Sequence, residues 1–191
     1  MDVYASTDRL TLRRFTGDDV DLLVGLDSDP QVMFYINGGV PTSRHEIETD
    51  VLPAFLGHYQ RWPGYGFFAV LERASGDFVG WVHLRPEPGN ADDEPELGYR
   101  LRRASWGKGY ATEASRAVVA RAFAEFGALR VVANTMAVNA ASRRVMEKTG
   151  LRFVRMFHAD WPVRIPGDEF GDVEYAVTRQ EWEAAGATRR R

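Results

Sequence analysis

The chain reads as short apolar runs broken by polar stretches rich in glycine and proline, and the apolar period switches between two and 3.6 residues. Residues 11–15 (TLRRF) form the first predicted strand. Thr16 then stands as an N-cap, with Asp18 and Asp19 in the first turn of a helix running to about residue 26, before Asp29-Pro30 stops it. Ser43 caps a second helix, with Glu46 completing a capping box, and this helix is expected to reach about residue 60 across Pro53. Three strands follow at 66–72, 78–84 and 96–101, the first two joined by the hairpin-length loop 73–77. A helix is predicted over 112–126, because Val118, Val119, Ala122, Phe123 and Phe126 share one face while Glu113 and Arg116 lie off it. The rest gives a strand at 129–137, a helix at 140–149 stopped by Gly150, and strands at 151–158 and 172–178. The fold class is therefore α/β (α+β), with helices set around a central sheet. No repeat or long linker divides the chain, so one domain over residues 1–191 is expected.

Composition closes several routes. With 191 residues, 45% of them hydrophobic and 27% charged, the chain has the make-up of an ordinary folded domain. It has no cysteine, which excludes disulfides, thiolate nucleophiles and cysteine-ligated metals. The four histidines form no i,i+4 pair and no HExxH, so no metal site is expected. A net charge of −3 argues against binding nucleic acid through bulk positive charge. No apolar run approaches membrane-spanning length, and the start MDVYASTDR does not read as a secretory signal, so a cytoplasmic location is expected. Of the 24 basic side chains only Lys108 and Lys148 are lysines. A lysine kept where arginine is the rule marks a place where a compact head group suits.

Lys108 lies in the most informative stretch, residues 96–114 (ELGYRLRRASWGKGYATEA). A strand runs into a turn with glycines spaced Gly-x-Gly, and a helix starts at once. Such a turn aims several backbone N–H groups at one point, with the positive end of the helix dipole behind them, and so makes a socket for a pyrophosphate. Gly107 and Gly109 let the backbone come close, and Arg102, Arg103 and Lys108 add positive charge. A Walker A motif is absent, and the third glycine of a dinucleotide fingerprint is missing.

The run WGKGYATEA, with ELGY upstream and VNAASRRVMEKTGLRF downstream, resembles the GCN5-related N-acetyltransferases (GNAT). It is most similar to their RimJ/RimL-type branch, which acetylates protein N-terminal amines and various small amines. The resemblance runs from Arg9 to Trp182 and takes in LTLRRF, DPQVMFYINGG and YAVTRQEW. It implies a mixed, mostly antiparallel, twisted sheet of six or seven strands with about four helices, with its core over residues 9–182. It also implies acetyl-CoA as co-substrate, no metal, an amine acceptor, and a monomer or homodimer. In the family's turn pattern Gln/Arg-x-x-Gly-x-Gly/Ala, Trp106 takes the first position, and Gly109 and Ala111 match. By resemblance, backbone N–H groups of Gly107, Lys108, Gly109, Tyr110, Ala111 and Thr112 hold the pyrophosphate, while Leu101 and Arg102 pair with the pantetheine arm. Tyr110 itself is expected to pack beside the turn. Asn139 matches the asparagine that binds pantetheine or orders the following helix, and it suits an N-cap equally.

Acetyl transfer to an amine needs a neutral amine, an oxyanion donor and a proton for the leaving thiolate. An α-amine is neutral in about one molecule of seven at pH 7, a lysine amine in about one of 2,500, so an N-terminus asks less of the base. Glu96, opening the strand that leads to the turn, matches the glutamate many relatives carry there and is the candidate base. His83 and His158 are alternatives to it. Asp92, Asp93 and Glu94 could draw a cationic amine in, or simply form a solvated loop. Many relatives place a tyrosine seven residues after the asparagine; here that position is Met146, and Ser142 is the candidate acid. The oxyanion donor is expected among the backbone N–H groups of residues 97–99. By resemblance the acceptor binds between residues 34–39 and the loop after His158. Trp161 and Phe170 would form an apolar wall there, and Asp160, Asp168 or Glu169 a cation contact. A non-catalytic acyl-CoA-binding module of the same fold is the alternative function.

Overall fold

A computed structural model describes residues 2–86, 91, 93–161 and 163–189 and contains one eight-stranded sheet. Its strands are β1 (Val3–Ser6), β2 (Leu10–Arg14), β3 (Gly66–Glu72), β4 (Phe78–Arg85), β5 (Glu96–Leu101), β6 (Arg130–Met136), β7 (Arg152–Phe157) and β8 (Asp172–Thr178). They lie in the order β1-β2-β3-β4-β5-β6-β8-β7. Every neighbouring pair is antiparallel except β5 with β6. The count exceeds the expected six or seven by the edge strand β1, whose four residues are too few to show a period.

The helices are α1 (Val20–Asp27), α2 (Pro30–Asn37), α3 (Arg44–Glu46), α4 (Leu52–Arg61), α5 (Tyr110–Glu125), α6 (Ala140–Thr149) and α7 (Arg179–Arg189). Asp29-Pro30 ends one helix and starts another: Asp29 Oδ1 accepts from the Gln31 N–H at 2.9 Å, and Pro30, which needs no N–H partner, occupies the first turn of α2. Ser43 caps α3 as expected, its hydroxyl accepting from the Glu46 N–H at 3.1 Å. The single helix read across Pro53 is instead interrupted by a π-helical stretch, Ile47–Val51, so that proline falls in the first turn of α4. A widened turn there relieves the clash proline makes with the carbonyl four residues back.

Alternation along the central strands sends side chains into two layers. Phe68 and Val70 pack with Leu10, Leu12 and the α5 residues Val118, Val119 and Ala122. Phe67 and Ala69 face the other way, against Leu23, Leu26, Ile47 and Phe55 from the first helices. On β4 the phase shifts at Gly80, whose φ of 145° and missing Cβ let the Arg100 carbonyl come close. Val79 and Val82 consequently both face α5, while Phe78 and Trp81 both face the other layer.

Candidate active site

The parallel pair β5·β6 is held at one register point, Glu96 with Val132. The Val132 N–H donates to the Pro95 carbonyl at 3.1 Å, so residues 95, 97, 99 and 101 turn their backbone groups toward β6. Beyond that bridge the strands part and leave a wedge, with Tyr99 and Leu101 on its β5 side. Among the described residues the Tyr99 N–H meets no ladder partner on β6, whereas a parallel bridge of this pattern uses the N–H of Leu97. Arg102 differs from expectation: its N–H donates to the Val79 carbonyl at 2.9 Å and faces β4, away from the wedge. Leu101 does face the wedge, and its carbonyl takes the Trp106 indole N–H at 2.9 Å. The odd residue of the turn pattern thus finishes the strand.

The wedge leads to the start of α5, two residues earlier than the periodicity places it. Gly107 (φ 74°) and Gly109 (φ 81°) adopt the left-handed conformation that a Cβ disfavours, and no side chain caps the helix. The N–H groups of Tyr110, Ala111 and Thr112 therefore lack intrahelical acceptors and face outward together. The Tyr110 side chain turns the other way and its hydroxyl donates to Glu72, so its candidate contribution is its N–H alone. Arg9 braces the turn, a role the sequence did not reveal. Its Nη1 donates to the Lys108 carbonyl at 3.0 Å and its Nε to Glu113 at 2.7 Å. Burial on its own would raise the Glu113 carboxyl, but hydrogen bonds from the Thr7 hydroxyl and from Arg9 bring it below its ordinary range.

Across the wedge, Asn139 is the N-cap of α6: its Oδ1 accepts from the Ser142 N–H at 3.1 Å and its Nδ2 donates to the Thr135 hydroxyl at 3.2 Å. Met146 is buried in the core at 1% exposure, so no hydroxyl stands at that position. One arrives from β5 instead. The Tyr99 hydroxyl donates to the Ser142 carbonyl at 2.8 Å and lies 3.0 Å from the Ser142 Oγ. Burial pushes the Tyr99 phenol far above its usual range, and its bond with Ser142 offsets only part of that. A phenol has one proton; with it on the carbonyl, Ser142 must be the donor of the second contact.

On the opposite face of β5, Glu96 sits at the closed end of the wedge with 18% of its side chain exposed. It accepts from Asn134 Nδ2 at 3.3 Å, with Arg85 Nη2 at 3.6 Å and His83 Nε2 at 3.8 Å. His83 is held well below its ordinary value by burial first, then by the nearby positive charges of Arg85, His58 and Arg100. It is neutral at pH 7, so its approach to Glu96 is no ion pair. Gly98 makes room for it: a Cβ there would stand 2.6 Å from the His83 Nε2. His158 is exposed, at the end of β7.

Next to Glu96 on this face a cleft of about 330 Å³ is lined by Glu94, Arg130, Asn134, Arg155 and Glu174, among others. Arg130 bonds Glu94 at 2.6 Å and Glu174 at 2.8 Å, and Arg155 bonds Glu174 at 2.8 Å. Glu94 is thus tied to an arginine, and Asp92 lies outside the described residues. The positive charge around the turn is reduced likewise, since Arg103 lies 3.4 Å from Asp29, and on β5 Arg100 pairs with Asp27 at 2.6 Å. In the 158–171 loop, Asp168 bonds Arg164 at 2.6 Å and the Ile165 N–H at 3.1 Å, and Glu169 takes the Gly167 N–H at 3.0 Å. The Trp161 indole donates to Asp172 at 3.1 Å, while Phe170 is 59% exposed. These acids serve their own turn. The loop nonetheless lies at the wedge mouth, since a Cβ on Gly167 would press on Val138. Pro162 lies outside the described residues.

Known proteins share this fold. Residues 9–152 match the Acetyltransferase (GNAT) domain. Over 182 residues the chain is 36% identical to the FsC-acetyl coenzyme A-N(2)-transacetylase of Aspergillus fumigatus, covering 92% of this chain and 76% of that protein. The crystal structure of a GNAT-family acetyltransferase from Bacillus anthracis superposes with a TM-score of 0.76 at 25% identity, covering 94% of this chain and 99% of that one. RimL, a ribosomal L7/L12 alpha-N-protein acetyltransferase solved with coenzyme A, matches in fold with a TM-score of 0.76 at 19% identity, covering 93% and 98%. Among the described residues no cluster suits a metal ion and no helix is long and apolar enough to cross a membrane. A parted parallel pair leading to an uncapped, glycine-opened helix start is what that matched domain looks like in this chain, which belongs to the GNAT family of acetyl-CoA-dependent N-acetyltransferases.

Proposed function

We propose that the protein acetylates a primary amine carried by a peptide N-terminus or a small molecule, by direct attack on acetyl-CoA within a ternary complex. The observation that carries this is the wedge between β5 and β6, which closes at Glu96 on one face and opens toward the start of α5 on the other. An extended pantetheine arm can add to the β5 edge at Tyr99 and Leu101, with the pyrophosphate on the N–H groups of residues 107–112. Asn139 borders the arm from the α6 side. The thioester then meets the acceptor at the closed end of the wedge.

Glu96 takes the proton of the incoming amine, directly or through a water. The Tyr99 N–H faces the wedge and is the donor for the carbonyl oxygen as it becomes an oxyanion. When the C–S bond breaks, the thiolate leaves beside the Tyr99–Ser142 pair. A thiol of pKa about 8.5 is a fair leaving group, so hydrogen bonding by Ser142 suffices and solvent supplies the final proton. Having no cysteine, the chain has no acetyl-cysteine route. The similarity to a relative named an FsC-acetyl coenzyme A-N(2)-transacetylase supports acetyl transfer to a nitrogen, and the likeness in fold to RimL leaves a peptide amine in view.

Release of free thiol from acetyl-CoA in the presence of a panel of amines tests the reading. Thiol release that depends on the amine supports it. Acetyl-CoA binding by calorimetry, with no thiol released by any amine, overturns it in favour of a binding module. Glu96→Gln is expected to lower kcat about 100-fold with acetyl-CoA affinity kept, and unchanged turnover would remove Glu96 from the mechanism.

A further inference from the structure

From Glu96, a row of polar side chains runs under the first helices on the same sheet face: His83, Trp81, Arg100 and Asp27. The His83 ring stacks on Trp81 with centroids 5.6 Å apart, the Arg100 guanidinium lies 5.1 Å from the Trp81 ring, and Arg100 Nη1 reaches Asp27 Oδ2 at 2.6 Å. Within this row both His83 nitrogens, Trp81 Nε1, Arg100 Nε and Asp27 Oδ1 are buried and make no hydrogen bond among the described residues. Buried polar atoms are nearly always partnered, and leaving one alone is costly. Five in one contiguous row, ending at the candidate base, call for a physical reason.

Resting on the acetyl-transfer reading above, we infer that this row is the recognition site for an acceptor amine bearing hydrogen-bond-accepting oxygens, such as an amide, carboxylate or hydroxamate, and that it disfavours polyamines. The hydrogen count decides the class. Trp81 Nε1–H and Arg100 Nε–H can only donate, and neutral His83 donates from one nitrogen. Three donors face two acceptors, Asp27 Oδ1 and the second His83 nitrogen. A molecule rich in carbonyl oxygens satisfies the majority. A protonated polyamine brings donors alone and leaves the three unmet donors of the row unmet. The side chains of His83 and Arg100 keep 10% and 15% of their surface exposed, so the row meets solvent at its edge. Side chains at binding surfaces commonly change rotamer on binding, and recognition here requires such a change to bring the enclosed donors to the acceptor.

Trp81→Phe isolates one donor, because it removes the indole N–H and keeps an aromatic ring against His83. The assay is thiol release from acetyl-CoA with four acceptors: an alanyl peptide, glycine hydroxamate, butylamine and spermidine. Taking the ratio of wild type to variant for each acceptor cancels its own amine basicity. The expected result is a kcat/KM loss about tenfold greater for the peptide or the hydroxamate than for butylamine, with spermidine the poorest wild-type acceptor. Some loss of melting temperature is expected from the smaller ring in a packed position, so the selectivity among acceptors decides the inference. Equal losses on all acceptors, or a lowered melting temperature with selectivity unchanged, would make Trp81 a packing residue and overturn the inference. So would efficient use of spermidine. Failure of every amine to release thiol would instead strike the acetyl-transfer reading itself.

Discussion

Two hydroxyls 3.0 Å apart can divide a task that one was expected to perform. Ser142 alone resembles a general acid, yet its Oγ is tied to Tyr99, whose own proton rests on the Ser142 carbonyl. A buried phenol pushed far above its usual range will not surrender a proton to a thiolate, but it can hold Ser142 in place and keep the site polar. Tyr99→Phe keeps the ring and is expected to lower kcat about tenfold, with KM for acetyl-CoA changed less than twofold. Ser142→Ala should produce a similar loss, and the double variant little more, since both act through one contact. Additive losses would separate the two residues. The kcat profile should also show no downward limb below pH 10 belonging to Tyr99, because the phenol stays protonated there.

Between elements, what the sequence reveals depends on distance along the chain. The Gly-x-Gly turn into α5 was legible because its cause is local: two glycines and a helix start within six residues. Its brace was not, since Arg9 and Glu113 stand 104 residues apart, and neither carries a motif. Tyr99 and Ser142 are 43 apart and meet only because β5 and α6 flank one wedge. Arg103 reads as part of the positive charge at the turn, but Asp29 takes it, and alternation points its neighbour Arg100 to the other sheet face, where Asp27 takes it. Period and caps therefore located the strands and the turn, while partners supplied by tertiary packing decided what the charges do. The brace itself is open to test. Glu113→Gln keeps one oxygen for the Thr7 hydroxyl at 2.6 Å but sets an amide NH2 against the Arg9 guanidinium and removes the charge, which should slacken the turn. Acetyl-CoA affinity measured by calorimetry should fall about three- to tenfold, less than the full cost of one charge-assisted hydrogen bond because the brace acts on the turn indirectly. An unchanged affinity would show that the glycines alone set the turn.

For the molecule as a whole, the same groups set how stability responds to acid, in two stages. His83 is neutral in the folded protein and held well below its ordinary value of 6.5, chiefly by burial. The unfolded chain binds a proton near that value while the folded one does not. The stability tied to His83 is therefore complete above pH 6.5 and declines as pH falls below it, by about 1.4 kcal/mol per pH unit. The carboxylates act lower. Burial would raise Asp19, Glu113 and Glu174, but hydrogen bonds from Arg13, from Thr7 with Arg9, and from Arg130 with Arg155 leave all three depressed. Their contribution is present above the ordinary values of 3.8 for Asp19 and 4.5 for the glutamates, and it is lost as pH drops toward the folded values. Urea unfolding should thus give a flat free energy from pH 8 to about 6.5, a slope of roughly one proton down to about 4.5, and a steeper fall beneath that. His83→Phe keeps an aromatic ring on Trp81 and removes the titrating nitrogen. It should abolish the first slope and leave the second, whereas a variant that still loses stability between pH 6.5 and 5 would place the buried proton cost elsewhere.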